Sequence, residues 1–216
     1  MKVKRNLAGI KKDNEQIDLA QYRRRQIIRA AEKVFAEKGY HKANIADIAR
    51  ELKIGHGTFY RYFKNKREIF ESVVGDIIKR VSTVVSGEDP GSTNTLDEYI
   101  RQVRRLGEKL FALFVEDPNV ARMLFYESWG LDEEMREKVW QMMDTFGRYT
   151  ELYLANGKKK AFLREDLETR ATALAVNALI FESGRRIAKS EDREREKKTW
   201  MNAVINLMFH GIKKKE

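Results

Sequence analysis

Apolar side chains recur along this chain at intervals of three and four residues, and no run alternates long enough to suggest paired strands. Ile45, Ile48, Ala49 and Leu52 fall at i, i+3, i+4 and i+7, one face of a short helix. Asn44 stands at its N-cap position, and Asp47 adds negative charge where the helix dipole favours it. Gly55 is expected to supply a sharp turn into a second helix. There Phe59 and Phe63, four apart, anchor onto the first helix and leave Thr58, Tyr60, Arg61 and Tyr62 pointing elsewhere. Upstream, Arg23 to Lys38 reads as a supporting helix with Ile27, Ile28, Ala31, Val34 and Phe35 on one face, closed by Gly39 as a C-terminal cap. The result is a three-helix core containing a helix-turn-helix.

The same spacing continues downstream. Lys66 to Val85 reads as a long helix, ended by the polar, Gly- and Pro-containing stretch Ser86 to Asn94, which reads as a loop and a domain junction. Helical segments follow at about 96–115, 119–127, 132–155, 166–188 and 192–212, with breaks at Asp117-Pro118 and Asn156-Gly157. The expected fold is all-α with about nine helices. It divides into a flexible basic arm over 1–20, a helix-turn-helix head with its connecting helix over 21–85, and a second helical domain over 86–216.

Charge sharpens this division. Of the net +10, residues 21–66 hold 12 basic and four acidic side chains, a net of +8, whereas residues 67–216 hold 26 of each. A basic head on a neutral body is the electrostatic footprint of a phosphate-binding module, although a helical pair rich in Lys and Arg is also what a plain solvated hairpin looks like. Cysteine is absent, which excludes disulfides and thiolate metal sites. No apolar run reaches the roughly 18 residues of a membrane span, and Met1 to Lys12 lacks the apolar core of a signal peptide, so a soluble, cytoplasmic protein is expected.

The run Gly57-Thr58-Phe59-Tyr60-Arg61-Tyr62-Phe63-Lys64-Asn65-Lys66 carries a threonine, aromatics, a phenylalanine and lysines in the order found in TetR-type transcriptional regulators. Over about Tyr22 to Val81 the chain resembles the DNA-binding domain of that family. The resemblance implies that Thr58, Tyr60, Tyr62 and Lys66 contact phosphates and base edges, with Asn44 near the DNA backbone. His56, Gly57 and Arg61 occupy positions that vary within the family and tune sequence choice. Ala43 departs from the pattern, since many members carry threonine there.

Helix 166–188 is apolar on nearly every side between Ala171 and Phe181, Thr172 and Asn177 excepted, and the last helix repeats this around Trp200, Val204 and Met208. A homodimer is therefore expected, with Val176, Ile180, Trp200, Val204 and Met208 in the interface and an inverted-repeat operator on double-stranded DNA. The second domain is rich in Met and aromatic residues. Resemblance to the family favours a small hydrophobic or amphipathic effector among Phe111, Phe114, Met123, Tyr126, Trp129, Trp140, Met143, Phe146 and Phe181, and release of a repressor from DNA. A structural DNA-binding adaptor on the same fold is the alternative. A helical-bundle enzyme is disfavoured, because with only His41, His56 and His210 no Glu-x-x-His pair occurs, and no Walker loop, nucleophile elbow or zinc motif is present. No cofactor or metal is expected.

Overall fold

The computed structural model describes residues 2–125 and 133–210, with side chains from Leu19 onward other than those of Leu124, Phe125, Met135 and Val139. Among the described residues the secondary structure is entirely helical: α1 (Lys2–Lys38), α2 (Ile45–Glu51), α3 (His56–Tyr60), α4 (Lys66–Val85), α5 (Leu96–Glu116), α6 (Pro118–Phe125), α7 (Glu133–Lys159), α8 (Thr169–Lys189) and α9 (Arg193–His210). They form two compact units, one ending at Val74 and the other beginning at Gly75, so the division falls inside α4. None of the described helices is long and apolar enough to cross a membrane.

In the first unit Ile27, Ala31 and Phe35 of α1 close onto Ile48 of α2, Phe59 and Phe63 around α3, and Ile69 and Phe70 of α4, all fully buried. Phe35 and Phe70 meet edge to face at 5.3 Å between ring centroids. Gly39, at φ 81, caps α1 as expected, its N–H donating to the Phe35 carbonyl at 2.8 Å. Two expectations change. The left-handed residue between α2 and α3 is Lys53, at φ 54, whereas Gly55 is extended and serves as the N-cap of α3. The stretch 2–20, expected as a flexible arm, belongs to α1, which is helical from Lys2. Asn6, Gly9, Asp13 and Asn14 are weak helix formers, so propensity alone reads this stretch as an arm.

In the second unit α8 packs against α5, α6, α7 and α9. Small residues allow the close approaches. A Cβ on Gly184 of α8 would stand 2.7 Å from the Phe114 ring, and one on Gly107 of α5 would stand 2.9 Å from Met201 Cε of α9. The segment Ser86–Asn94, expected as a junction between domains, lies wholly within this unit and is clamped by side chains that donate to its carbonyls. Tyr153 Oη reaches Val85 and Glu88 at 3.2 and 2.9 Å, Lys160 Nζ reaches Gly91 and Thr93 at 2.7 and 2.8 Å, and Gln102 Nε2 reaches Asp89 at 2.9 Å. Its Gly and Pro serve turns in an anchored loop, which composition alone does not distinguish from a linker. Asn156-Gly157 does not break α7. The helix continues to Lys159 and the chain reverses at Ala161, φ 58, with Gly157 left bare because a Cβ would meet Leu163 Cδ1 at 2.5 Å.

Candidate DNA interface and effector cavity

The start of α2 is fixed by a reciprocal capping box. Asn44 Oδ1 accepts from the Asp47 amide at 2.9 Å, and Asp47 Oδ2 accepts from the Asn44 amide at 3.1 Å. Asp47 also pairs with Lys38 at 2.7 Å and Arg50 at 3.1 Å. The hydrogen bond from Lys38 does most to hold its carboxyl below the usual range, followed by that from the Asn44 backbone, with Arg50 assisting. This network fixes the start of α2 and ties it to the end of α1. On α3, Phe59 is buried while His56, Gly57 and Tyr60 are exposed, Tyr60 at 54%. Thr58 is half-buried, and beyond the helix Arg61 lies exposed with its guanidinium 5.8 Å from the centroid of the half-buried Tyr62 ring. The short helix and the two residues after it thus bring together two tyrosines, a threonine, a histidine and an arginine, with Lys64 exposed just beyond. Such a surface suits phosphate oxygens and base edges in a major groove.

Lys66 sits differently. Its Nζ donates to the carbonyls of Tyr40, Ala43 and His41 at 2.9, 3.0 and 3.3 Å and lies 4.6 Å from the centroid of the Tyr40 ring. An ammonium has three N–H donors, and here each has a carbonyl. Lys66 therefore pins the α1–α2 loop to the start of α4. Arg24, which sequence reasoning did not single out, steadies the same core by lying 4.7 Å over the Phe63 ring and donating to Ser72 Oγ at 3.1 Å.

The second unit forms a cavity of about 110 Å³ among α4, α5, α7, α8 and α9. Its wall is mostly aliphatic and aromatic, including Val81 and Val85 of α4, Leu106 and Phe111 of α5, Phe146 of α7, and Phe181 of α8. The few polar groups on it are Tyr99, Thr150, Tyr153 and Asn177. Burial, helped by the carboxylates of Glu88 and Asp89, pushes the Tyr153 hydroxyl up to about 12, and burial raises Tyr99 as well, so both remain neutral donors. An apolar wall with a few polar groups set into it suits a small hydrophobic molecule.

A family model described as bacterial regulatory proteins, tetR family, matches residues 27–73, which span the core of the first unit. The fatty acid metabolism regulator protein of Bacillus subtilis (strain 168) is 28% identical over 194 residues, 88% of this chain and 95% of that protein. The crystal structure of the transcriptional regulator FadR from Bacillus subtilis in complex with stearoyl-CoA superimposes with a TM-score of 0.72 at 26% identity, covering 87% of this chain and 98% of that one. Residues 27–73 therefore carry a TetR-family DNA-binding domain. The fatty acid degradation regulator FadR from Bacillus halodurans shares the fold, with a TM-score of 0.74 at 22% identity over 89% of this chain and 97% of that one.

In the second unit the expected effector residues scatter. Phe111, Phe114, Phe146 and Phe181 line the cavity. Met123 is buried away from the wall, Met143 is half-buried off it, and Trp140 is 70% exposed. Tyr126 and Trp129 lie outside the described residues. The expected dimer contacts turn inward: Val176, Ile180, Val204 and Met208 line the cavity, and Trp200 is half-buried with Nε1 donating to Glu196 Oε1 at 2.8 Å. Helices that are apolar all round do not disclose which side faces inside. The side left exposed carries Ala171, Leu174, Ala175 and Ala178 on α8, with Ala203 and Leu207 on α9. Sequence reasoning also missed the aliphatic lining and Asn177, although a polar residue interrupting an apolar helix was the available signal.

Proposed function

We propose that the chain is a homodimeric, ligand-responsive repressor that binds an inverted-repeat operator through α3 and is released when a long-chain acyl compound fills the cavity of the second unit. The observation that carries this reading is that one uninterrupted helix serves both parts. Ile69, Phe70 and Val73 of α4 are buried in the core of the DNA-binding head, and Val81, Val84 and Val85 of the same helix line the cavity. A ligand seated against the second half of α4 biases the helix that carries the head. The acyl class is supported by the regulators of fatty acid metabolism among the relatives and by the stearoyl-CoA bound to one of them. His56, Gly57, Thr58, Tyr60, Arg61 and Tyr62 supply the DNA contacts, Asn44 orients them, and the exposed faces of α8 and α9 form the two-fold interface. A regulator of this kind acts in the cytoplasm and catalyses nothing.

The ligand acts only through its preference for the DNA-incompetent state, and a hundredfold preference corresponds to about 2.8 kcal/mol. The test is operator binding by the purified chain, using a site selected from random duplexes at about physiological salt, titrated with palmitoyl-CoA and separately with a short-chain acyl-CoA. Palmitoyl-CoA is expected to weaken operator binding by tenfold or more and the short chain to have little effect. An enriched inverted repeat unaffected by either would retain the DNA reader and remove the acyl effector. Retention without any enriched sequence would favour the structural adaptor.

A further inference from the structure

The cavity wall contains one polar group that its own surroundings leave unfinished. Asn177 lies midway along α8, is 6% exposed, and lines the cavity. Its Oδ1 accepts from Thr150 Oγ1 of α7 at 2.8 Å, but among the described residues Nδ2 has no hydrogen-bond partner. Tyr153, also on the wall, directs its hydroxyl to the carbonyls of Val85 and Glu88. A buried amide donor left bare is costly, and the penalty is removed either by replacing the amide with an apolar group or by bringing an acceptor to it. A purely hydrocarbon ligand would perpetuate the penalty. A ligand that is hydrocarbon with a single oxygen acceptor would cancel it and satisfy the rest of the wall.

We propose that Asn177 is the specificity-determining residue of the cavity and that its Nδ2 donates to the acyl carbonyl oxygen of the effector, with Thr150 holding the amide in that orientation. This rests on the acyl effector proposed above and adds to it a polar contact that fixes where the acyl oxygen sits. Apolar burial supplies affinity for the chain, whereas the amide selects for the carbonyl, because a site built to hydrogen-bond a group rejects the analogue that lacks it. Free fatty acid and acyl thioester both carry that oxygen, so the contact is common to the two.

The test compares ligands on the intact protein by calorimetry. Palmitoyl-CoA and palmitate present the acyl oxygen, and S-hexadecyl-CoA has the same length and head group with a methylene in place of the carbonyl. Wild type is expected to bind palmitoyl-CoA about tenfold more tightly than S-hexadecyl-CoA. In Asn177→Leu, similar in volume, that discrimination should vanish. Whichever of palmitoyl-CoA and palmitate binds wild type should lose about tenfold, and S-hexadecyl-CoA should bind no worse. Without ligand, Asn177→Leu removes the bare amide but takes the acceptor from Thr150 Oγ1, so its melting temperature should stay within a few degrees of wild type.

Wild type binding the carbonyl and methylene ligands equally overturns the role of Asn177 while leaving the acyl effector in place, and needs no variant. Wild type binding none of the three overturns the acyl effector and this contact with it. Discrimination that survives Asn177→Leu but disappears in Tyr99→Phe assigns the carbonyl to the other buried hydroxyl of the wall and likewise overturns the proposal.

Discussion

At the scale of single residues, two lysines that look alike in the sequence do different work. Lys66 Nζ is committed to three carbonyls, and Lys64 is exposed two positions earlier. Lys66→Ala is expected to destabilise the head by about 1–2 kcal/mol, read by chemical denaturation, while leaving the salt dependence of operator binding intact. Lys64→Ala should do the reverse and reduce the slope of log K against log salt by about 0.9 if its ammonium neutralises one phosphate. Asn44→Ala should cost about 1 kcal/mol through loss of the cap. Asp47 gives the head a pH dependence. Its folded-state pKa lies below the value near 3.9 of an unfolded chain, so its contribution is present above that value and is lost as pH falls through it towards the folded-state pKa. Melting temperatures measured down to about pH 3 should fall for wild type and flatten for Asp47→Asn. The cap at Asn44 and the aromatic motif were legible in the sequence because both depend on residues within a few positions of one another. The role of Lys66 was not, since its partners lie more than twenty residues away and a lysine in sequence carries no sign of what its amine touches.

At the scale of helices, the boundaries of α2, α5 and α6 follow their caps and breaks closely, since Asn44, Thr95 and Pro118 are local signals. The inward sides of α8 and α9 were not legible. Facing is decided by what packs on a helix, and small residues such as Gly107 and Gly184 set how near α9 and Phe114 come. Gly107 also borders the cavity. Gly107→Leu is expected to fill part of it, at a packing cost of about 1–3 kcal/mol, and to weaken acyl-CoA binding at least tenfold while operator binding persists. In a reporter strain that variant would no longer be inducible. Gly75 in α4 is exposed and has open space where a Cβ would stand. Gly75→Ala should therefore stabilise the helix by up to about 1 kcal/mol, seen as a higher melting temperature. If induction requires α4 to deform at that point, the same variant will need more ligand to leave DNA.

At the scale of the whole molecule, the net positive charge is concentrated in the segment that forms the head, and residues 67–216 are balanced. Operator affinity should therefore fall steeply with salt while self-association barely responds. The outward stripe of Ala171, Leu174, Ala175 and Ala178, beside Ala203 and Leu207 on α9, is the surface on which a second copy is expected. Leu174→Glu combined with Leu207→Glu should yield a monomer by analytical ultracentrifugation and abolish binding to a full inverted repeat, with the fold retained by circular dichroism. A dimer that survives both charges would place the two-fold axis elsewhere. The seam between the units lies between Val74 and Gly75, inside an unbroken helix rather than in a loop. For anyone building biosensors this is a splice point: a head with another operator preference, joined in helical phase at that bond, would put a different promoter under the command of the same metabolite.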